Sequence, residues 1–108
     1  MRILFDQNTP APLRDWLIGH HVETAYERGW AELTNGDLLS AAESAAFDLM
    51  ITTDKSIRHQ QNLSGRKLAL VVIDTNDWTR IRKCKSIVMS LLTDVPLGSY
   101  LEIHIPSA

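Results

Sequence analysis

The sequence predicts an α/β domain with a mostly parallel central sheet and helices on both faces. Three observations carry this. Strand-like and helix-like segments alternate along the chain, the signature of repeated βα units. Residues 68–73 (LALVVI) are apolar at every position, as expected of a central strand covered on both faces. The 108 residues show no repeat, no linker and no low-complexity stretch, and that length suffices for one core, so 1–108 reads as a single domain.

Each element follows in order. Residues 2–5 (RILF) read as a buried strand feeding the polar loop Asp6-Gln7-Asn8. Thr9-Pro10 reads as a helix start, and Leu13, Trp16 and Leu17 then share one helical face until Gly19 stops the run. Residues 21–25 alternate as a second strand, and 26–34 read as loop. Asn35-Gly36-Asp37 turns the chain into a helix expected over about 36–47, where Leu38, Leu39, Ala42, Ala45 and Ala46 keep helical spacing. Residues 49–53 (LMITT) form a third strand ending at Asp54-Lys55, and 55–62 suggest a short helical turn. After the 68–73 strand, 77–93 predict a long amphipathic helix carrying Trp78, Ile81, Ile87, Val88, Leu91 and Leu92. A last strand, 100–105, sets Glu102 and His104 outward between apolar neighbours, as on an edge.

Composition excludes several classes of function. A net charge of −2 is not that of a basic nucleic-acid binder, so a polyanion would have to be met by a local patch or a metal. The single cysteine, Cys84, rules out an internal disulfide framework and a cysteine-based zinc site. No apolar run approaches the roughly 20 residues of a membrane span. The start MRILFDQ lacks the apolar region of a signal peptide, so a cytoplasmic location is expected.

The chemistry lies in the carboxylates. Asp6 and Asp54 each follow an apolar strand directly, and the loops beyond the carboxyl ends of parallel strands line the ligand crevice of such sheets. Asp37 opens the helix that leads into the strand ending at Asp54, so it is expected over the same edge. Clustered carboxylates raise one another's pKa unless a cation neutralises them. Oxygen-only ligands suit Mg²⁺ or Mn²⁺, which can activate water for phosphodiester hydrolysis. Each residue also has a plainer reading: Asp37 as a first-turn acid favoured by the helix dipole, Asp6 and Asp54 as turn formers.

The run Ile3-Leu4-Phe5-Asp6-Gln7-Asn8 with Pro10, and Asp37-Leu38-Leu39 with Ala42 followed by Ile51-Thr52-Thr53-Asp54-Lys55, resemble the two signatures of the PIN-like proteins often encoded as toxins of bacterial toxin–antitoxin pairs. The resemblance implies a PIN-like three-layer sandwich. It implies a Mg²⁺- or Mn²⁺-dependent ribonuclease site at Asp6, Asp37 and Asp54, an RNA substrate and a small antitoxin partner. Two departures stand out: Gln7 occupies a position where an acid is common, and Ser56-Ile57 replaces the usual acid and aromatic. The family carries a fourth acid, for which Asp74, just after the 68–73 strand, is the candidate by position.

Around these, Asn8 can orient Asp6 or cap a turn, and Lys55 and Arg58 can contact a phosphate. His59, Arg66 and Lys67 fit a solvated surface as well as an RNA contact. So does the run Arg80, Arg82, Lys83 and Lys85. Trp30 can stack on a base or cap the core. The apolar edge at 100–105 leaves room for a homodimer. The expected function is a metal-dependent endoribonuclease. A PIN-like module that binds RNA or protein without catalysis is the alternative, and a receiver-like phosphate-handling domain is a more distant third, since only Asp6 follows the first strand where receivers pair two acids.

Overall fold

The computed structural model describes residues 1–57 and 65–107. Five strands, β1 (Arg2–Phe5), β2 (His21–Thr24), β3 (Leu49–Thr52), β4 (Ala69–Ile73) and β5 (Tyr100–Ile103), form one all-parallel sheet in the order β2-β1-β3-β4-β5. The chain leaves β1 toward one edge and returns to place β3 on its other side. The strand order therefore reverses between β1 and β3, the position at which open α/β sheets form their ligand crevice.

Side-chain alternation splits the core into two layers. Ile3, Phe5, Leu49, Ile51, Val71 and Ile73 face one side, where a 3₁₀ helix (Ala11–Trp16) and the segment 78–93 cover them. Leu4, Met50, Leu70 and Val72 face the other, against Leu38, Leu39 and Ala42 of helix α1 (Asn35–Ser44) and against Phe47 and Ile57. Every residue of β3 and β4 is buried, as expected of the all-apolar β4 and of β3, apolar except for Thr52. The result is the three-layer α/β arrangement expected from the alternation of segments.

Three elements differ from the sequence reading. The first helix is a six-residue 3₁₀ helix with Pro10 just before it. The next ends at Ser44 rather than 47, because Ala46 takes a left-handed backbone (φ 63°) and turns Phe47 back into the core. The long helix is interrupted: α2 (Trp78–Ile81) and α3 (Lys85–Thr93) are joined by a 3₁₀ stretch, Arg82–Cys84. A 3₁₀ turn holds 3.0 residues rather than 3.6, yet the i, i+7, i+11 spacing of the buried face carries through the junction. Ile81, Val88 and Leu92 stay buried, while Ile87 is 54% exposed. The helical turn expected over 55–62 falls largely outside the described residues.

The edge at β2 is closed by side chains. The Val22 carbonyl accepts from the Arg14 guanidinium, the Thr24 N–H donates to Glu27, and Arg14 pairs with Glu27 in turn. Such cover blunts an edge that would otherwise template strand pairing. Among the described residues, no helix is long and apolar enough to cross a membrane.

Candidate functional site

The polar cleft at the carboxyl ends of β1 and β3 is built by the strand order. β1 and β3 are hydrogen-bonded neighbours, with Phe5 in register with Ile51, so the residues that follow them emerge side by side. The Asp6 N–H donates to the Ile51 carbonyl (3.0 Å), and the Thr9 hydroxyl donates to the same carbonyl (2.9 Å), which pins the Asp6–Thr9 loop over the end of β3. The cleft has a volume of about 180 Å³, and Asp6, Asn8, Trp30, Asn35 and Asp54 are among its lining residues.

A hydrogen-bonded chain joins the two acids. Thr52, wholly buried, donates its hydroxyl to Asp6 Oδ2 (2.6 Å) and accepts the Asp54 N–H (3.1 Å). The Gln7 N–H donates to Asp6 Oδ1 (2.6 Å). Asp54 Oδ1 accepts from the Ser56 hydroxyl (2.6 Å) and N–H (3.0 Å), and its Oδ2 accepts from the Asn35 amide (3.0 Å). The Ser56 bonds, then Asn35, hold the Asp54 carboxyl below the usual carboxylate range against the opposing effect of burial. Asp54 is therefore a ready anion at neutral pH.

This shift has a stability consequence with a fixed sign. A carboxyl lowered in the folded state contributes stability above its unfolded pKa of about 3.9, and that contribution is lost as pH falls through the folded value. Ser56→Ala is expected to raise the Asp54 pKa toward the ordinary range and weaken this acid-side dependence. An NMR titration of the carboxyl carbon of Asp54 checks it; an unmoved midpoint would show that Ser56 is not the cause.

Asp37 does not line the cleft. Thr34 caps α1 by accepting the Asp37 N–H (3.3 Å), which places Asp37 in the first turn with its side chain exposed. A helix advances about 100° per residue, so Asn35 and Asp37 point roughly opposite ways, and Asn35 is the one facing Asp54. Sequence reasoning placed the helix terminus over the right edge but missed Asn35; its signal was its position directly after the capping Thr34.

Asp74 sits at the same edge, one strand further along. Burial alone would raise its pKa, but the Ile105 N–H, the His104 ring and the charge of Lys55 bring it below the ordinary range. It binds His104 Nδ1 (2.5 Å) and the Ile105 N–H (2.9 Å), tying the chain after β5 to the end of β4. Asp74 is not a lining residue of the Asp6–Asp54 cleft. Lys55 is exposed and acts on Asp74, and the Asn8 carbonyl accepts from the Thr53 hydroxyl (3.4 Å). Arg58 and His59 lie outside the described residues. Arg66 pairs with Glu43 at the far end of α1.

The donor set suits a hard divalent cation. Among the described residues, no three His, Cys, Asp or Glu side chains lie close enough to share a metal. Two carboxylates do share the cleft, and Mg²⁺ is commonly held by one or two carboxylates completed by waters and substrate phosphates. A carboxylate offers about four lone-pair sites. The bonds named above occupy two on Asp6 and three on Asp54, so both retain capacity.

Comparison with protein-family models, with curated proteins and with solved structures returns no match for this chain.

Proposed function

We propose that this chain is a metal-dependent nuclease that hydrolyses RNA phosphodiester bonds in the cleft between β1 and β3. The observation that carries the reading is the placement of Asp6 and Asp54 on adjacent strand ends at the reversal of strand order, in one polar cleft. Asp6 and Asp54 would hold Mg²⁺ or Mn²⁺, which supplies charge neutralisation and an activated water. The chain's own residues set the geometry. Thr52 fixes the spacing of the two acids from a buried position, while Ser56 and Asn35 orient Asp54 and keep it ionised. Lys55, exposed at the same edge, is a phosphate contact in this reading.

The partner assignments rest on the PIN-like resemblance alone: a toxin acting on cytoplasmic RNA, inhibited by a small antitoxin. A second reading, a PIN-like module that binds RNA or protein without cutting it, is favoured by one observation. The side chain that the start of α1 brings to Asp54 is the Asn35 amide rather than the Asp37 carboxylate. Incubating the protein with single-stranded RNA, with Mn²⁺ or with EDTA, separates the two. Cleavage that needs metal and disappears in Asp6→Asn supports the nuclease; RNA binding that persists in EDTA with no cleavage supports the module.

A further inference from the structure

Helix α3 leaves an apolar stripe outside the core. Ile87 (54% exposed) and Leu91 (37% exposed) lie one turn apart on a face that flanks the buried Val88 and Leu92. Lys83, four residues before Ile87, and Asp94, three after Leu91, extend the stripe at its two ends, and both are exposed. Along the helix the face therefore presents a cation, two apolar side chains and an anion. A groove of about 350 Å³ runs beside it, between the end of α3 and β5, with Leu91, Asp94, Val95, Pro96 and Leu101 among its lining residues.

These charges oppose the dipole of the helix that carries them. A helix favours anions at its N-terminus and cations at its C-terminus. Yet α3 has no acid in its first turn and no base in its last; Lys83 stands just before its start and Asp94 is its C-cap. A neighbouring helix running the opposite way reverses the sign, because its C-terminal end lies beside Lys83 and its N-terminal end beside Asp94. A second copy of α3 supplies that helix in a self-complementary register. The midpoint of Ile87 and Leu91 is Met89, and that of Lys83 and Asp94 falls between Val88 and Met89. One two-fold axis therefore sets Ile87 against the partner's Leu91 and Lys83 against the partner's Asp94, each twice. We propose that this face joins two copies of the chain through antiparallel α3 helices, with Ile87 of each copy entering the groove beside the partner's Leu91. The contact is helix to helix, alongside the β5 edge, and it does not rest on the nuclease reading. A face of this length belongs to the small class of interfaces, below about 1,200 Å² in total, so the dimer is weak and depends on concentration.

The test is analytical ultracentrifugation from micromolar to near-millimolar protein. The wild type should pass from monomer to dimer over that range, and Ile87→Asp should stay monomeric. Lys83→Glu sets acid against acid at both symmetric contacts, and Asp94→Lys sets base against base. Each alone should weaken dimerisation by about tenfold or more. Mixed in equal amounts, these two variants should regain it. In the mixed pair an acid again faces a base at both contacts, the introduced charges at one and the native charges at the other. Both substitutions place the sign that the dipole favours, so neither should lower Tm, and melting curves separate lost association from lost folding. Ile87 lies outside both core layers; if its variant nonetheless unfolds, the charge variants carry the test. A wild type that stays monomeric throughout overturns the proposal. So does a dimer that survives in folded Ile87→Asp, a charge variant that dimerises like the wild type, or a mixture no better than its components.

Discussion

Asp6→Asn is expected to lower metal-dependent RNA cleavage by at least about 100-fold while the protein stays folded. Loss of a single group that stabilises developing charge costs about 10²–10³-fold in kcat in preorganised sites. Here the substitution removes one of the two carboxylates that line the cleft among the described residues. The fold should tolerate it, because an amide oxygen can still accept a hydrogen bond in place of the one that receives the Thr52 hydroxyl (2.6 Å) or the Gln7 N–H (2.6 Å). Asp6 also stands at the end of its strand rather than inside either core layer. Initial rates across a Mn²⁺ series, alongside thermal melts of both proteins, separate the two effects. Full metal-dependent cleavage by the variant would remove Asp6 from the mechanism.

The second large effect is one of stability. Phe5→Ala is expected to destabilise the protein by about 3–5 kcal/mol, the range for truncating a buried aromatic. Phe5 is 1% exposed, lies in the middle strand of β2-β1-β3, and packs in the layer beneath the 3₁₀ helix. Domains of this size have about 5–15 kcal/mol in all, so the loss should lower Tm by more than about 10 °C. The same residue directly precedes Asp6, so the cavity also loosens the backbone that aims the carboxylate. Cleavage should therefore fall even below the variant's melting temperature. Phe5→Leu, which leaves a smaller void, should retain more of both; equal losses in the two would argue against a packing origin.

The strands were legible because apolar content carries them. β4 is apolar throughout and β3 almost so, and both are buried along their whole length. Residues 100–105 declare an edge by alternation, and β5, shorter at Tyr100–Ile103, is the last strand of the sheet. The helices were read less well, since their ends and phase depend on backbone choices that spacing does not encode. Nothing in Glu43-Ser44-Ala45-Ala46 signals a left-handed alanine at 46. The 3₁₀ interruption at 82–84 likewise has no local signal, and Ile87, six residues after the buried Ile81 and so about 120° round the helix from it, is exposed.

The site follows the same division. Asp6 and Asp54 share a cleft because both follow strands, and strand order decides which ends are neighbours. Asp37 depended on helix phase, which the cap at Thr34 sets, and that phase brings Asn35 to Asp54 instead. Asp74 does end at the carboxyl edge, but its lone pairs are engaged by the chain after β5, a long-range contact with no local signature.

The central claim is that Asp6 and Asp54 together hold a divalent cation. Its most direct test is a calorimetric Mn²⁺ titration of the wild type and of an Asp6→Asn/Asp54→Asn double variant, with a 2′-deoxy oligonucleotide present to supply phosphate oxygens. Saturable binding in the wild type that is lost in the folded double variant is the predicted result. Binding of equal strength in both, or none in either, would contradict it.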